Sequence, residues 1–358
     1  MARPALAAYV SGHGFGHFTR SEAVLSRLAP RWAIHVRTNG RALALARRAS
    51  WAASVTEVDV GPGVVQRGPL ESDLDATTAA LARHMARFEE LAAEEARALS
   101  ELGARGAYAD VPPVAFEAAA RAGIPSVGLA NFTWSWIYEG LDGCARFACR
   151  IAEAEARATL FLVLPFAGGV EHFPRREQLP LVVRHPTRSR EAARALLALR
   201  AGERRPVVLL SFGGFGDALD LGFAARRNED FVFVVFAASR EAAENLLVLP
   251  HDHAFPHQDL VLASDVVLGK PGYGTVAESI LARRPFVIAP RGDFREAPVL
   301  ARGIEEYLRS ASLSPDELFE GRWTDAIKKA LAAAVPGKTI GFDGAEVAAR
   351  RIEALLAS

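Results

Sequence analysis

The chain alternates two hydrophobic patterns. Short runs such as "ALAAYV", "WAIHVRT", "AYAD", "PSVGLANF" and "TLFLVLP" are dense in apolar residues and of strand length. Longer stretches between them, including "FTRSEAVLSRL", "RALALARRA" and "PVAFEAAARAG", place apolar residues at helical spacing. A polar, arginine-rich link follows around Thr187–Arg205. The alternation then restarts with "RPVVLLSFGG" and continues through "DFVFVVF", "DVVLGK" and "PFVIAP". Strands alternating with helices predict parallel α/β layers. Two such series predict two Rossmann-like domains facing across a cleft, 1–187 and 188–338. Residues 339–358 form a last helix whose expected place is against one of them, the N-terminal domain in this reading. The alanine-rich stretch 76–102 reads as one long helix, and "GPGVVQRGPLES" (61–72) as a long loop at the cleft.

Composition narrows the class. The 358 residues suit two domains rather than one core. Lysine plus arginine equals aspartate plus glutamate at 42 each, so no global field favours nucleic acid. No apolar run approaches a membrane span, which leaves room only for peripheral membrane contact. Cys144 and Cys149 are the only cysteines and make no disulfide framework. Together with an N-terminus that reads as a strand rather than a signal peptide, this predicts a cytoplasmic protein. The basic residues are nearly all arginine, and Lys270 is the only lysine before Lys328.

Lys270 lies in the most informative stretch, "DVVLGKPGYGTVAESI". A buried strand runs into a turn at Lys270, Pro271, Gly272, Tyr273 and Gly274, and then into a helix. The free N–H groups of a helix start, with the Thr275 hydroxyl and the Lys270 ammonium, suit an anion. Glu278 lies one turn further in. It would repel a phosphate at contact but can accept hydrogen bonds from ribose hydroxyls; the alternative is a solvated or helix-end carboxylate. Phosphate at the turn and a diol at the carboxylate describe a nucleotide. A second turn, "SGHGFGHFTR", sets Gly12, Gly14 and Gly16 after a strand and before a helix, with His13 and His17 at its mouth; Gly12, His13, Gly14 and Gly16 let the backbone approach a ligand on the acceptor or phosphate side, or simply make a tight turn. A dinucleotide site would want a carboxylate at the end of the next strand, and "VRTNG" has none, so a nicotinamide oxidoreductase is disfavoured. A third turn, "LSFGGFGD", offers Gly213 and Gly214 to the same diphosphate or is a plain loop.

These turns resemble those of the GT-B glycosyltransferases, and the "ASDVVLGKPGYGTVAES" run resembles the donor site of the MurG type. The resemblance implies that Gly274 and Thr275 meet the donor diphosphate, that Glu278 binds the ribose, and that Phe255 borders the base. It also implies that a polar pair, here Arg295 and Glu296, meets the donor sugar. An acid stands there where MurG has glutamines, and His13 and Phe15 replace glycines of the first turn. A fuller resemblance, from "YVSGHGFGHFTR" to "RGDFREAP", is to the N-terminal, glycosyltransferase-like half of plant L-arabinokinase. The sugar-kinase half has no counterpart here. "AAVPGKT" ends like a P-loop but lacks its first glycine.

The expected chemistry is metal-independent sugar transfer. No cofactor is needed beyond a nucleotide sugar as substrate, a UDP-sugar being favoured, and the acceptor is undefined. His17 or Asp110 supplies the base, or Asp110 orients His17. A lone base without a nucleophile leans towards an inverting hexosyl- or pentosyltransferase. Asn131 and Trp134 in "NFTWSWIY" offer an acceptor platform or simply pack. His251, His253 and His257 cluster, yet no cysteine or paired carboxylate completes a metal spacing, so no metal is expected. Two other classes remain: a non-catalytic nucleotide-sugar binding or sensing module, and a nucleotide-sugar epimerase.

Overall fold

The structure, a computed structural model, describes residues 3–68, 71–197, 199, 202–213, 219–236, 243–250, 255–292 and 294–357. The chain divides into two compact units. One runs up to Val65 and includes Ser72–Val183 and the segment from Ile340 onward; the other holds Gln66–Glu71 and Arg184–Thr339.

The first unit is built on a parallel sheet of seven strands: β1 (Ala5–Val10), β2 (Ala33–Thr38), β3 (Ala52–Glu57), β4 (Ala104–Asp110), β5 (Ser126–Phe132), β6 (Leu160–Gly168) and β7 (Arg176–Gln178). Their order is β3-β2-β1-β4-β5-β6-β7, so the winding reverses between β1 and β4. The central strands are buried almost throughout, as expected of a parallel sheet covered on both faces. Helix Phe15–Leu28 buries His17, Phe18, Ser21, Val24, Leu25 and Leu28, a stripe at helical period. Helix Gly344–Leu356 packs on that helix, with Arg31 paired to Glu353 at 2.7 Å.

The expected single helix over 76–102 is two, Leu74–Ala86 and Phe88–Glu101, broken at Arg87 (φ −105°, ψ 2°). The buried positions Thr77, Leu81, His84, Phe88, Leu91, Glu95 and Leu99 keep an unbroken three-and-four spacing across the break. Periodicity therefore cannot reveal it.

The second unit repeats the winding with β8 (Val207–Ser211), β9 (Val232–Phe236), β10 (Leu246–Leu249), β11 (Val266–Gly269), β12 (Phe286–Ile288) and β13 (Ser310–Ser312). The order is β10-β9-β8-β11-β12-β13, all parallel, with the reversal between β8 and β11. Phe233, Phe286 and Trp323 are fully buried in this unit. The polar stretch read as a link contains a short helix, Arg190–Ala195, because Asp265 holds Arg190 at 2.5 Å and Arg194 at 3.0 Å. Among the described residues no helix is long and apolar enough to cross a membrane.

Candidate functional site

In doubly wound sheets, groups beyond the carboxyl ends of the strands at the reversal point are free to meet a ligand. In the first unit that point lies between Val10 of β1 and Asp110 of β4, which are register partners. Asp110 is wholly buried. Arg20 forks onto it, Nε donating to Oδ2 at 2.6 Å and Nη2 to Oδ1 at 2.5 Å. Ser21 adds a hydroxyl to Oδ2 at 3.1 Å. Burial alone would push this carboxyl up, but the Arg20 guanidinium and then His17 hold it below the ordinary range.

His17 lies one turn from Arg20 on the same helix, with Nδ1 2.9 Å from Asp110 Oδ1 and 3.0 Å from Arg20 Nη2. Only one of these contacts can be a hydrogen bond at a time. A ring that carries its proton on Nδ1 donates to Asp110, and Nε2 is then a proton acceptor. Among the described residues His17 Nε2 makes no hydrogen bond. Asn131 is buried and accepts from Arg20 Nη1 at 2.7 Å, so it braces the arginine.

The other residues of this turn take different parts. His13 Nδ1 accepts the Val64 amide at 3.2 Å, and its ring meets Trp134 edge-on with centroids 5.3 Å apart. With Nδ1 serving as acceptor, a neutral His13 carries its proton on Nε2, which separates its role from that of His17. Gly63 (φ +64°) is required beneath it, since a Cβ there would lie 2.7 Å from the His13 ring. Trp134 is buried, stacks on Tyr138 with centroids 5.4 Å apart, and lies 6.1 Å from the His17 ring. Gly12 is needed for packing: a Cβ would lie 2.2 Å from the Asn39 side chain. Gly14 and Gly16 have nothing within 4 Å of a modest side chain, so the start of helix Phe15–Leu28 is open.

In the second unit the reversal point joins the end of β8, Ser211, to the turn after β11. Helix Tyr273–Ala282 begins there with Gly272 as N-cap, no side-chain cap and no acid in its first turn. Its leading amides therefore have no side-chain acceptor from a cap. A Cβ at Gly272 would have nothing within 4 Å. Gly213 (φ +66°) would bring a Cβ to 3.0 Å from Lys270 Cε and 3.4 Å from Nζ, so the lysine side chain lies alongside this turn. Thr275 Oγ1 is 3.3 Å from Ser211 Oγ, and Ser211 Oγ is 3.2 Å from His257 Nε2.

Glu278 is neither solvated nor a cap. It is buried, with Arg184 Nε and Nη2 on Oε1 at 2.9 and 2.7 Å and His257 Nδ1 on Oε2 at 2.6 Å. Burial pushes its carboxyl up, while Arg184 and then His257 bring it below the ordinary range. A carboxylate has about four lone-pair positions. These contacts use three of them. A ribose diol gripping both oxygens would thus displace one of the present partners.

The expected donor-sugar pair faces two ways. Arg295 is exposed, whereas Glu296 is buried with a carboxylate oxygen 3.7 Å from Arg291. Arg291 stacks over Phe294 at 3.8 Å, and burial lowers its guanidinium against the opposing pull of Glu296. Phe255 is buried. Gly214, His251 and His253 lie outside the described residues. Among the described residues no group of histidines, cysteines and carboxylates is placed to hold a metal ion.

Sequence reasoning named His17, Asp110 and Glu278 but missed Arg20, Arg184 and Ser211, and left His257 without a role. An arginine one helical turn after His17 was the available signal for Arg20. Nothing local in sequence links Arg184 to Glu278.

No protein-family model matches the chain. Over 96% of its length it is 32% identical to an Arabidopsis thaliana protein named L-arabinokinase, and it spans about a third (34%) of that protein. Among solved structures it is similar to CalG4, the calicheamicin glycosyltransferase, with TM-score 0.64 and 18% identity, covering 100% of this chain and 99% of that one. Phytolacca americana UGT2, complexed with UDP-2fluoro-glucose and pterostilbene, gives 0.61 and 13%, covering 99% and 94%. Acinetobacter baumannii MurG gives 0.55 and 16%, covering 99% and 100%. The chain therefore has the GT-B fold of these glycosyltransferases, MurG among them, and is similar along nearly all its length to one third of a plant L-arabinokinase.

Proposed function

We propose that the protein transfers a sugar from a nucleotide-sugar donor, a UDP-sugar in the first instance, to an acceptor hydroxyl, with inversion and without a metal ion. The observation that carries this reading is the start of helix Tyr273–Ala282: uncapped, free of acids in its first turn, preceded by Lys270 and followed by Glu278. The donor diphosphate sits on those amides, with Thr275, Gly274 and Gly213 beside it. Lys270 and the helix dipole supply the positive charge that the departing phosphate needs. Glu278 takes one ribose hydroxyl, Phe255 borders the base, and the segment holding Arg295 and Glu296 meets the sugar. The complex of Phytolacca americana UGT2 with UDP-2fluoro-glucose supports a uridine donor for this fold.

His17 is the base. Its Nε2 takes the acceptor hydroxyl proton as that oxygen attacks the anomeric carbon and the bond from that carbon to the diphosphate oxygen breaks. Asp110 holds the ring in the tautomer that leaves Nε2 unprotonated and balances the imidazolium that forms. Arg20 already neutralises much of that carboxylate, so the part of Asp110 is to orient His17. Trp134 and Asn131 shape the acceptor side, Trp134 by its ring and Asn131 through Arg20.

A thermal-shift screen with UDP-, GDP-, ADP- and dTDP-sugars tests the reading. A matching donor at a hundredfold excess over its Kd stabilises by about 2.7 kcal/mol. No shift with any of them removes the donor site. The match to one third of a longer sugar kinase favours a second reading, a nucleotide-sugar sensing module. A shift without donor consumption across acceptors selects it. Conversion of the donor sugar with no acceptor present selects an epimerase.

A further inference from the structure

The hydrogen bonds behind Thr275 form a directed chain. Glu278 is an ionised, acceptor-only group, so His257 Nδ1, 2.6 Å from it, must carry a hydrogen. In a neutral ring His257 Nε2 is then an acceptor and takes the Ser211 hydroxyl hydrogen across 3.2 Å. Ser211 Oγ in turn accepts from the Thr275 hydroxyl across 3.3 Å. The Thr275 hydrogen is thus spent inward. What Thr275 presents at the helix mouth is a lone pair, the wrong partner for a phosphate oxygen.

One proton on Nε2 reverses both hydroxyl bonds of the chain, while Nδ1 goes on donating to Glu278. With Nε2 protonated, His257 donates to Ser211, Ser211 donates to Thr275, and Thr275 turns its hydrogen outward. The trio of Glu278, Arg184 and His257 then carries a net positive charge close to the anion. The charged groups on the elements that face His257 are Glu278 on helix Tyr273–Ala282, and Arg190, Glu191 and Arg194 on helix Arg190–Ala195. Its own helix carries Asp259, paired with Arg188 at 2.8 Å, and Lys270 lies beyond Gly213. Among the described residues only Glu278 is within ion-pair distance of the ring.

We propose that His257 is a positioning residue for the donor diphosphate, acting through Ser211 and Thr275, and that donor binding draws one proton from solvent onto its ring. This rests on the donor reading above and adds a proton to it. The inference concerns binding, not the transfer step, because His257 acts through Ser211 and Thr275.

The test is calorimetric titration of the full chain with UDP-glucose, whose phosphodiester groups do not titrate near neutrality, in two buffers of different ionisation enthalpy. The expected result at about pH 8 is uptake of about one proton per site, with Kd rising up to about tenfold per pH unit through the alkaline range. Ser211→Ala, which cuts the chain with a small and nearly isosteric change, and His257→Gln both bind UDP-glucose without proton uptake. Binding by the unaltered protein with no uptake overturns the relay and leaves the donor site standing. Uptake that persists in either variant also overturns the relay. Absence of binding by UDP-, GDP-, ADP- and dTDP-glucose alike overturns the donor site itself.

Discussion

Each unit places a histidine, a carboxylate and an arginine beside the reversal point of a parallel sheet, and the two sets are wired differently. In the first, His17 and Arg20 come from one helix and converge on Asp110, and His17 Nε2 has no hydrogen bond among the described residues. In the second, His257 and Arg184 come from different segments and converge on Glu278, and His257 Nε2 is committed to Ser211. The carboxylate fixes the Nδ1 side of each ring, so the neighbour of Nε2 decides the role. An Nε2 with no hydrogen bond among the described residues suits a base. An Nε2 tied to a hydroxyl chain under a helix mouth suits anion binding. The same three groups thus support two chemistries.

The largest expected effects break the two sets one at a time. Asp110→Ala leaves Arg20 buried without its partner and costs about 3–5 kcal/mol of unfolding free energy. Glu278→Ala costs less, towards the lower end of about 3–5 kcal/mol, because the Arg184 side chain is 25% exposed while that of Arg20 is 4% exposed. Urea unfolding of the two variants checks the order, and an equal or reversed cost contradicts it.

Acid sharpens the comparison. Both carboxyls are held below their ordinary values of 3.8 for Asp110 and 4.5 for Glu278. A carboxyl depressed in the folded state binds its proton more readily when unfolded, so its contribution is present above the ordinary value and is lost as pH falls through the folded one. The melting temperature is therefore expected to hold through the weakly acidic range and drop steeply below about pH 4. Asp110→Asn and Glu278→Gln each make that drop shallower; a slope unchanged in both would show that other groups govern acid unfolding.

A smaller effect comes from the brace behind Arg20. Asn131→Ala leaves a buried guanidinium N–H without its acceptor and costs about 1–3 kcal/mol. Because this loosens the arginine without removing it, transfer activity is expected to fall less than stability. A larger loss of activity at unchanged stability would place Asn131 on the substrate.

Much of the fold was legible because the central strands are continuous apolar runs, "ALAAYV" and "DVVLG" among them, joined by glycine turns. Three of the four edge strands were not. β3 reads "AASVTE" and is half exposed, and β7 and β13 are the three-residue runs "REQ" and "SAS". Their hydrogen bonds to the sheet hold them as strands, and their side chains carry little signal. The break at Arg87 was hidden by an apolar seam that continues through it. In the site, motif spacing brought His17, Asp110 and Glu278 forward as candidates. It set His17 apart from His13 as a candidate base but did not show the physical ground of the difference, since only folding brings the Val64 amide to His13 and Asp110 to His17. Arg184 and Glu278 are far apart in sequence, and no local pattern joins them.

If His17 removes the proton and the second unit binds the donor, the two roles are separable by substitution. Parallel measurement on His17→Ala of UDP-glucose affinity by calorimetry and of donor consumption in a single turnover tests it most directly. The expected result is an unchanged Kd with a rate lowered about 10²–10⁴-fold. A rate that survives the substitution, or a Kd that weakens along with it, would contradict the account.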